Sequence, residues 1–151
     1  MSMRDRPYLL FFCLAVGTFA VAHVGFEIFA RLWVGRNTAW EAVCETLYYS
    51  ATQPTGTAML LAPFVLLGWM AGSLAKKQTL KNGTVLFVAG AVVFGLMYFS
   101  GHMGAQQAMQ SRKWTVAALS VGLLPLQSIP VLFVILVIRL LSGRKHNDNE
   151  I

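Results

Sequence analysis

The sequence predicts an all-α integral membrane protein: four transmembrane helices, both termini cytoplasmic, and a short interfacial helix in the first outer loop. Three observations predict it. Of 151 residues, 56% are hydrophobic and only 12% are charged, about half the charged share of a soluble domain. Four apolar stretches approach or exceed the roughly 20 residues a helix needs to cross a hydrocarbon core. The twelve lysines and arginines fall at the ends of those stretches rather than within them, apart from Arg31. Together these exclude a disordered chain, which is poor in apolar residues. Two cysteines, Cys13 and Cys44, exclude a disulfide scaffold. A single membrane domain over residues 1–151 leaves no room for a separate soluble catalytic domain.

The first span is expected over about residues 7–33, with Pro7 in the first turn, where a missing N–H costs nothing. Arg4, Arg6, the apolar run and Ala20-Val21-Ala22 together imitate a secretory signal peptide with its small-residue cleavage site. The run continues past Ala22 to Ile28, so a retained span is the reading here. In the loop that follows, Thr38-Ala39-Trp40-Glu41 has capping-box spacing. Trp40, Val43, Cys44, Leu47 and Tyr48 then recur at helical spacing, with Glu41 and Glu45 on another face. That pattern predicts a helix lying in the interface, its aromatics at headgroup depth.

The second span, about 57–75, ends at Lys76-Lys77 and contains Gly68-Trp-Met-Ala-Gly72, the spacing of small residues that lets helices approach closely. Asn82-Gly83 is a turn signal, and it places the third span at about 83–103. The fourth span, about 114–141, contains Pro125 and Pro130, each of which removes a backbone donor and kinks a helix. Four spans put both ends of the chain on one side, with Arg4, Arg6, Lys76, Lys77, Lys81, Arg139, Arg144 and Lys145. Arg31, Arg36, Arg112 and Lys113 fall on the other. By the positive-inside rule the first group is cytoplasmic, and a compact multi-pass protein of a bacterial inner membrane is expected. The net charge of +6 then reflects topology and contact with the lipid bilayer. No nucleic-acid partner is expected, because the basic residues are not gathered with aromatics on one face.

His23, Glu27 and Arg31 are spaced i, i+4, i+8 and share one stripe of the first span. Ionisable residues inside a span are costly and face a partner or water. His102, Gln106 and Gln110 repeat the spacing in the third span. Counted at 1.5 Å per residue, His23 lies about 24 Å from the cytoplasmic end of its span and His102 about 28 Å. The candidate binding cluster is therefore His23, Glu27, Arg31, His102 and Gln106, under the interfacial helix and opening outward. For Gln106, Gln107 and Gln110 the simpler expectation is solvation at a span end. Trp33, Trp40, Tyr48 and Tyr49 are the expected interface anchors.

No catalytic set and no metal site is expected. A His₂Glu set lacks the H-E-x-x-H pattern, and Arg31 would repel the ion. No cofactor is expected; haem held by His23 and His102 is the lesser alternative. Cys44 has only carboxylates nearby, which do not activate a thiol. The methionines and glycines read as packing residues. The resulting functional expectation is a small inner-membrane interaction protein without enzymatic activity. It would act as an accessory subunit of a membrane assembly or as a protective, immunity-like binder of a membrane-active factor, with a protein partner or as a homo-oligomer. The alternative is a small oligomeric transporter or proton-coupled carrier with a polar pocket around His23, Glu27, Arg31 and His102. An enzyme with His23, Glu27 and His102 as acid and base ranks last.

Overall fold

The structure, a computed structural model, describes residues 6–147, with the backbone alone beyond residue 141. Arg4 lies outside the described residues, as do the side chains of Arg144 and Lys145. The described chain is helical almost throughout and contains no strand. Helix α1 (Arg6–Phe19) passes through a π-helical turn (Ala20–Gly25) into α2 (Phe26–Trp33). Helix α3 (Ala39–Thr52) follows a short loop, and α4 (Pro54–Lys77) begins two residues after it ends. Then come α5 (Leu80–Gln110), α6 (Trp114–Gly122) and α7 (Leu124–Asn147). Four of the resulting rods are long and apolar enough to cross a membrane: Arg6–Trp33, Pro54–Lys77, Leu80–Gln110 and Trp114–Leu141.

Besides a second span that starts at Pro54 rather than about residue 57, three features differ from the sequence expectation, each for a local reason. The third span does not wait for Asn82-Gly83. Thr79 caps it, its hydroxyl accepting the Asn82 N–H at 3.2 Å, and Asn82 and Gly83 lie inside the helix. Gly83 serves packing rather than a turn, because a Cβ there would sit 2.7 Å from the Ala71 carbonyl oxygen. The same helix runs on past residue 103 for a total of 31 residues. That is about 46 Å of helix against a hydrocarbon core of about 30 Å. Its last turns are held by small residues, with Ala105 and Ala108 packed on Ala117 of α6. Finally, the fourth span is interrupted at Leu123, two residues before Pro125, whereas Pro130 stays within α7.

Helix α4 is the hub, packed against α1, α5 and α7. Its aromatic centre is Phe64, fully buried, with ring centroids 5.3 Å from Phe94, 5.1 Å from Tyr98 and 5.7 Å from Phe19. All three pairs are edge-on, the arrangement that the ring quadrupoles favour. Pro63 removes the backbone bond to the Met59 carbonyl. The next carbonyl along, Leu60, accepts the buried Tyr98 hydroxyl at 2.5 Å. The Gly68…Gly72 pair faces α1: a Cβ on Gly68 would lie 2.7 Å from the Phe11 carbonyl oxygen, and one on Gly72 would meet Tyr8 at 3.0 Å. Small residues matter here because helices in lipid are drawn together by close packing rather than by exclusion of water.

Contacts at the two ends of the bundle keep the expected grouping of cations. At the end nearer the termini, Lys76 lies over the Tyr8 ring, and Arg139 donates to the Ser73 hydroxyl while covering Trp69. At the opposite end, Arg31 meets Glu45 of α3, and the Gln110 amide donates to the Val34 carbonyl. Replacing Gly68 by alanine is expected to cost about 1–3 kcal/mol through forced separation of α1 and α4. Gly17→Ala meets nothing within 4 Å and is expected to be neutral, or stabilising by up to about 1 kcal/mol. Thermal unfolding of both variants in detergent checks the contrast.

Candidate functional site

The cluster is built on the one irregular turn of the first span. A π turn is a rare single-turn bulge inside an α-helix, frequent at functional sites, and here it spans Ala20–Gly25. The turn carries His23, buried at 6% exposure. Its imidazole stacks on Phe19 at a centroid distance of 5.2 Å and turns its Nδ1 toward Nε2 of His102, 3.2 Å away. His102 is itself 3% exposed and has the Tyr98 ring at 6.4 Å on its other flank. Each ring is thus held against an aromatic wall of its own helix. In such a pair one nitrogen donates and the other accepts, so at least one ring is neutral at its facing nitrogen.

One turn beyond His23, Glu27 accepts from Arg31 twice on the same oxygen, from Nη2 at 2.8 Å and from Nε at 3.1 Å. Arg31 then reaches across to α3, where its Nη1 donates to Glu45, and its guanidinium lies 5.6 Å over the Tyr49 ring. Side-chain exposure is 10% for Arg31, 15% for Glu27 and 46% for Glu45. The cation is therefore shared by two carboxylates, one enclosed and one open.

Glu45 can take part because α3 starts in a fixed place. The Thr38 hydroxyl accepts the Glu41 N–H at 3.3 Å, and the Glu41 carboxylate accepts the Thr38 N–H at 2.9 Å and its hydroxyl at 2.8 Å. This is the capping box that the sequence announces. The Thr38 N–H, and secondly its hydroxyl, hold the Glu41 carboxyl below its ordinary value. The inner face of α3 carries Ala42 and Thr46, both fully buried, and the hydroxyl oxygens of Thr46 and Ser50 have no hydrogen-bond partner.

Of the residues expected to converge, His23, Glu27 and His102 do so, one ligating atom of each lying within 4.8 Å of the other two. Arg31 adjoins them through Glu27. Gln106 is buried, at 7% exposure, one turn along from His102, so solvation does not describe it. Gln107 is exposed, as expected, and Gln110, also exposed, uses its amide to tie α5 to the end of α2. Trp33, Trp40, Tyr48 and Tyr49 are all exposed. Glu45, which helical spacing sets on a face apart from the apolar stripe of α3, joins the cluster through Arg31. The polar side chains close on one another, and the cavity beside them is apolar. It is a groove of about 460 Å³ between the first span and α5, lined by residues such as Ala22, Phe26, Ala91, Gly95 and Phe99.

Chemically, the arrangement offers two buried imidazoles and a partly buried carboxylate close together, with a shared cation beside them. A bis-histidine haem needs its axial nitrogens on the order of 4 Å apart with the macrocycle between them. Here the nitrogens touch at 3.2 Å, so haem would require the rings to part. Cys13 and Cys44 are both free and exposed, and neither belongs to this cluster.

Breaking a buried ion pair by removing one partner costs about 3–5 kcal/mol, whereas an exposed pair is worth about 0–1 kcal/mol. Arg31→Gln is accordingly expected to destabilise the protein by about 3 kcal/mol or more, because it strands Glu27. Glu45→Gln is expected to cost about 1 kcal/mol or less. Adding Glu27→Gln to Arg31→Gln should recover part of the loss, a non-additivity that a double-mutant cycle in detergent reads directly. Equal and additive losses would contradict the geometry.

Comparison with protein-family models, with curated proteins and with solved structures finds no match for this chain.

Proposed function

We propose that the chain is a non-enzymatic membrane interaction protein, an accessory or protective subunit that binds another membrane component through its α3 end. One observation carries this reading. Arg31, Glu27 and Glu45 satisfy one another at that end, while Trp33, Trp40 and Tyr48 stand 73%, 77% and 64% exposed. Aromatics of this kind form the anchors of interfaces and belong at headgroup depth. Helix α3 lies along the membrane interface in this reading, with Leu47 and Cys44 beside the aromatics, and its position is fixed by the Arg31–Glu45 contact rather than left to lipid. The carrier alternative has less support, because the polar side chains are closed on each other and the neighbouring groove is apolar.

The same reading places both termini in the cytoplasm of a bacterial cell and the α3 end outside. It rests on the division of basic residues, eight to four by sequence, across ends that the side-chain contacts keep apart. In a variant with Cys13 and Cys44 replaced by serine, a membrane-impermeant maleimide added from outside should label Lys113→Cys and leave Lys81→Cys untouched. The reverse pattern overturns the orientation.

Partner binding is tested by a photo-crosslinking residue placed at Trp40 or Tyr48 in living cells, followed by extraction in mild detergent. One discrete adduct of defined mass, lost when the probe is moved to lipid-facing Val92, is the expected result. Adducts to lipid alone at Trp40 and Tyr48 would make these residues membrane anchors and end the interaction reading.

A further inference from the structure

We propose that His23, Glu27 and His102 form a binding site for a single divalent transition-metal ion of the zinc class, with one coordination position left open. The inference is independent of the interaction reading and rests on geometry and charge.

Two nitrogens bound to a tetrahedral zinc at about 2.0–2.1 Å stand about 3.3–3.4 Å apart. Nδ1 of His23 and Nε2 of His102 are already 3.2 Å apart. Replacing the shared proton by a metal ion therefore needs the two nitrogens to part by only one or two tenths of an ångström, with the ion seated to one side of the line between them. The third ligand is at hand, since Glu27 brings a carboxylate oxygen within 4.8 Å of both ligating nitrogens. A tetrahedral edge from oxygen to nitrogen is also about 3.3–3.4 Å, so the carboxylate has at most about 1.5 Å to travel. Two imidazoles and one carboxylate suit zinc, copper or nickel rather than magnesium or calcium, which take oxygen ligands.

From the sequence, Arg31 counts against a cation here. The structure changes that count. Arg31 holds Glu27 with Nε and Nη2 but keeps Nη1 for Glu45. When Glu27 turns to the metal, the guanidinium retains Glu45 and the Tyr49 ring. Glu45, half-exposed on α3, is thus the reserve partner that allows Glu27 to be lent. Among the described residues no fourth His, Cys, Asp or Glu joins the group, which leaves a position for water or another small ligand, as in zinc sites with three protein ligands.

The test uses the full chain in detergent, stripped with a chelator, in a His146→Gln background that removes the remaining histidine of the sequence. Zn²⁺ is titrated against a chromophoric chelator, and Co²⁺ serves as the optical probe of coordination. The expected result is one equivalent of Zn²⁺, a rise in melting temperature on binding, and intense visible bands of four-coordinate Co²⁺. Excess Mg²⁺ or Ca²⁺ should not compete. His23→Gln and His102→Gln should each weaken Zn²⁺ binding by about 100-fold or more, and Glu27→Gln by about 10- to 100-fold. Arg31→Lys, which loosens the grip on Glu27 and keeps the charge, should leave binding unchanged or tighter. Glu45→Gln should weaken it several-fold although Glu45 is not a ligand. Failure of the parent protein to take up one equivalent, weak six-coordinate Co²⁺ bands, or uptake that survives the loss of both histidines would each overturn the proposal. The parent's stoichiometry and Co²⁺ spectrum need no variant at the site, so they decide the matter even where a substituted chain fails to fold.

Discussion

Arg31 is a permanent cation near the end of a membrane span, and the arrangement around it answers the cost of putting it there. A guanidinium cannot shed its proton, so burial has to be met by carboxylates. Glu27 answers from the same helix and Glu45 from the next. The second answer has a structural consequence, because it converts α3 from a loop helix into a part of the bundle. The capping box fixes where α3 starts, and Glu45 fixes how it is turned. With those two points set, Ala42 and Thr46 face inward, Tyr49 lies under the guanidinium, and Trp40 and Tyr48 face out. The buried histidine pair lies next to this closure and is sheltered by it.

The four spans are legible in the sequence because apolar length is a direct consequence of bilayer thickness. The cap of α3 is legible because its hydrogen bonds lie within four consecutive residues. The stripe of His23, Glu27 and Arg31 and the level of His102 are also readable, since rise per residue alone places them. Other features depend on information that periodicity does not carry. A helical wheel separates Glu45 from the apolar stripe of α3, because it shows which residues share a side of that helix. It does not show how α3 is rotated against its neighbours. Asn82-Gly83 reads as a turn by composition, yet the close approach of α4 requires that glycine inside a helix. Gln106 reads as solvated if the span ends at 103, whereas the helix continues to Gln110 against α6. The π turn is not readable from spacing either: nothing in Ala20–Gly25 separates a π turn from an α turn.

The bundle also shows two ways of holding helices together in lipid. Near the termini close packing leads, with Gly68, Gly72 and Gly83 admitting close approach, and Arg139 and Lys76 add polar contacts beside it. At the α3 end the contacts are polar, with the imidazole pair, the shared guanidinium and the Gln110–Val34 tie. Between them sits the aromatic group around Phe64. Steric contacts are insensitive to charge and solvent, whereas the polar ones can exchange partners.

The π turn gives the first span a phase it would otherwise lack. Each α-helical residue advances the chain by about 100°, and a turn with one additional residue displaces everything beyond it by about that angle. Below the turn, α1 faces α4; above it, α2 faces α5 and α3. A straight α-helix of the same composition would point both halves in one direction, and one set of neighbours would meet the wrong residues. The six residues from Ala20 to Gly25 thus act as a clutch between two independently keyed halves of a single rod. Outside His23, the count of residues there matters as much as their identity. Loss or gain of one would leave the span as apolar and as long as before, while turning His23 or its anchors out toward lipid.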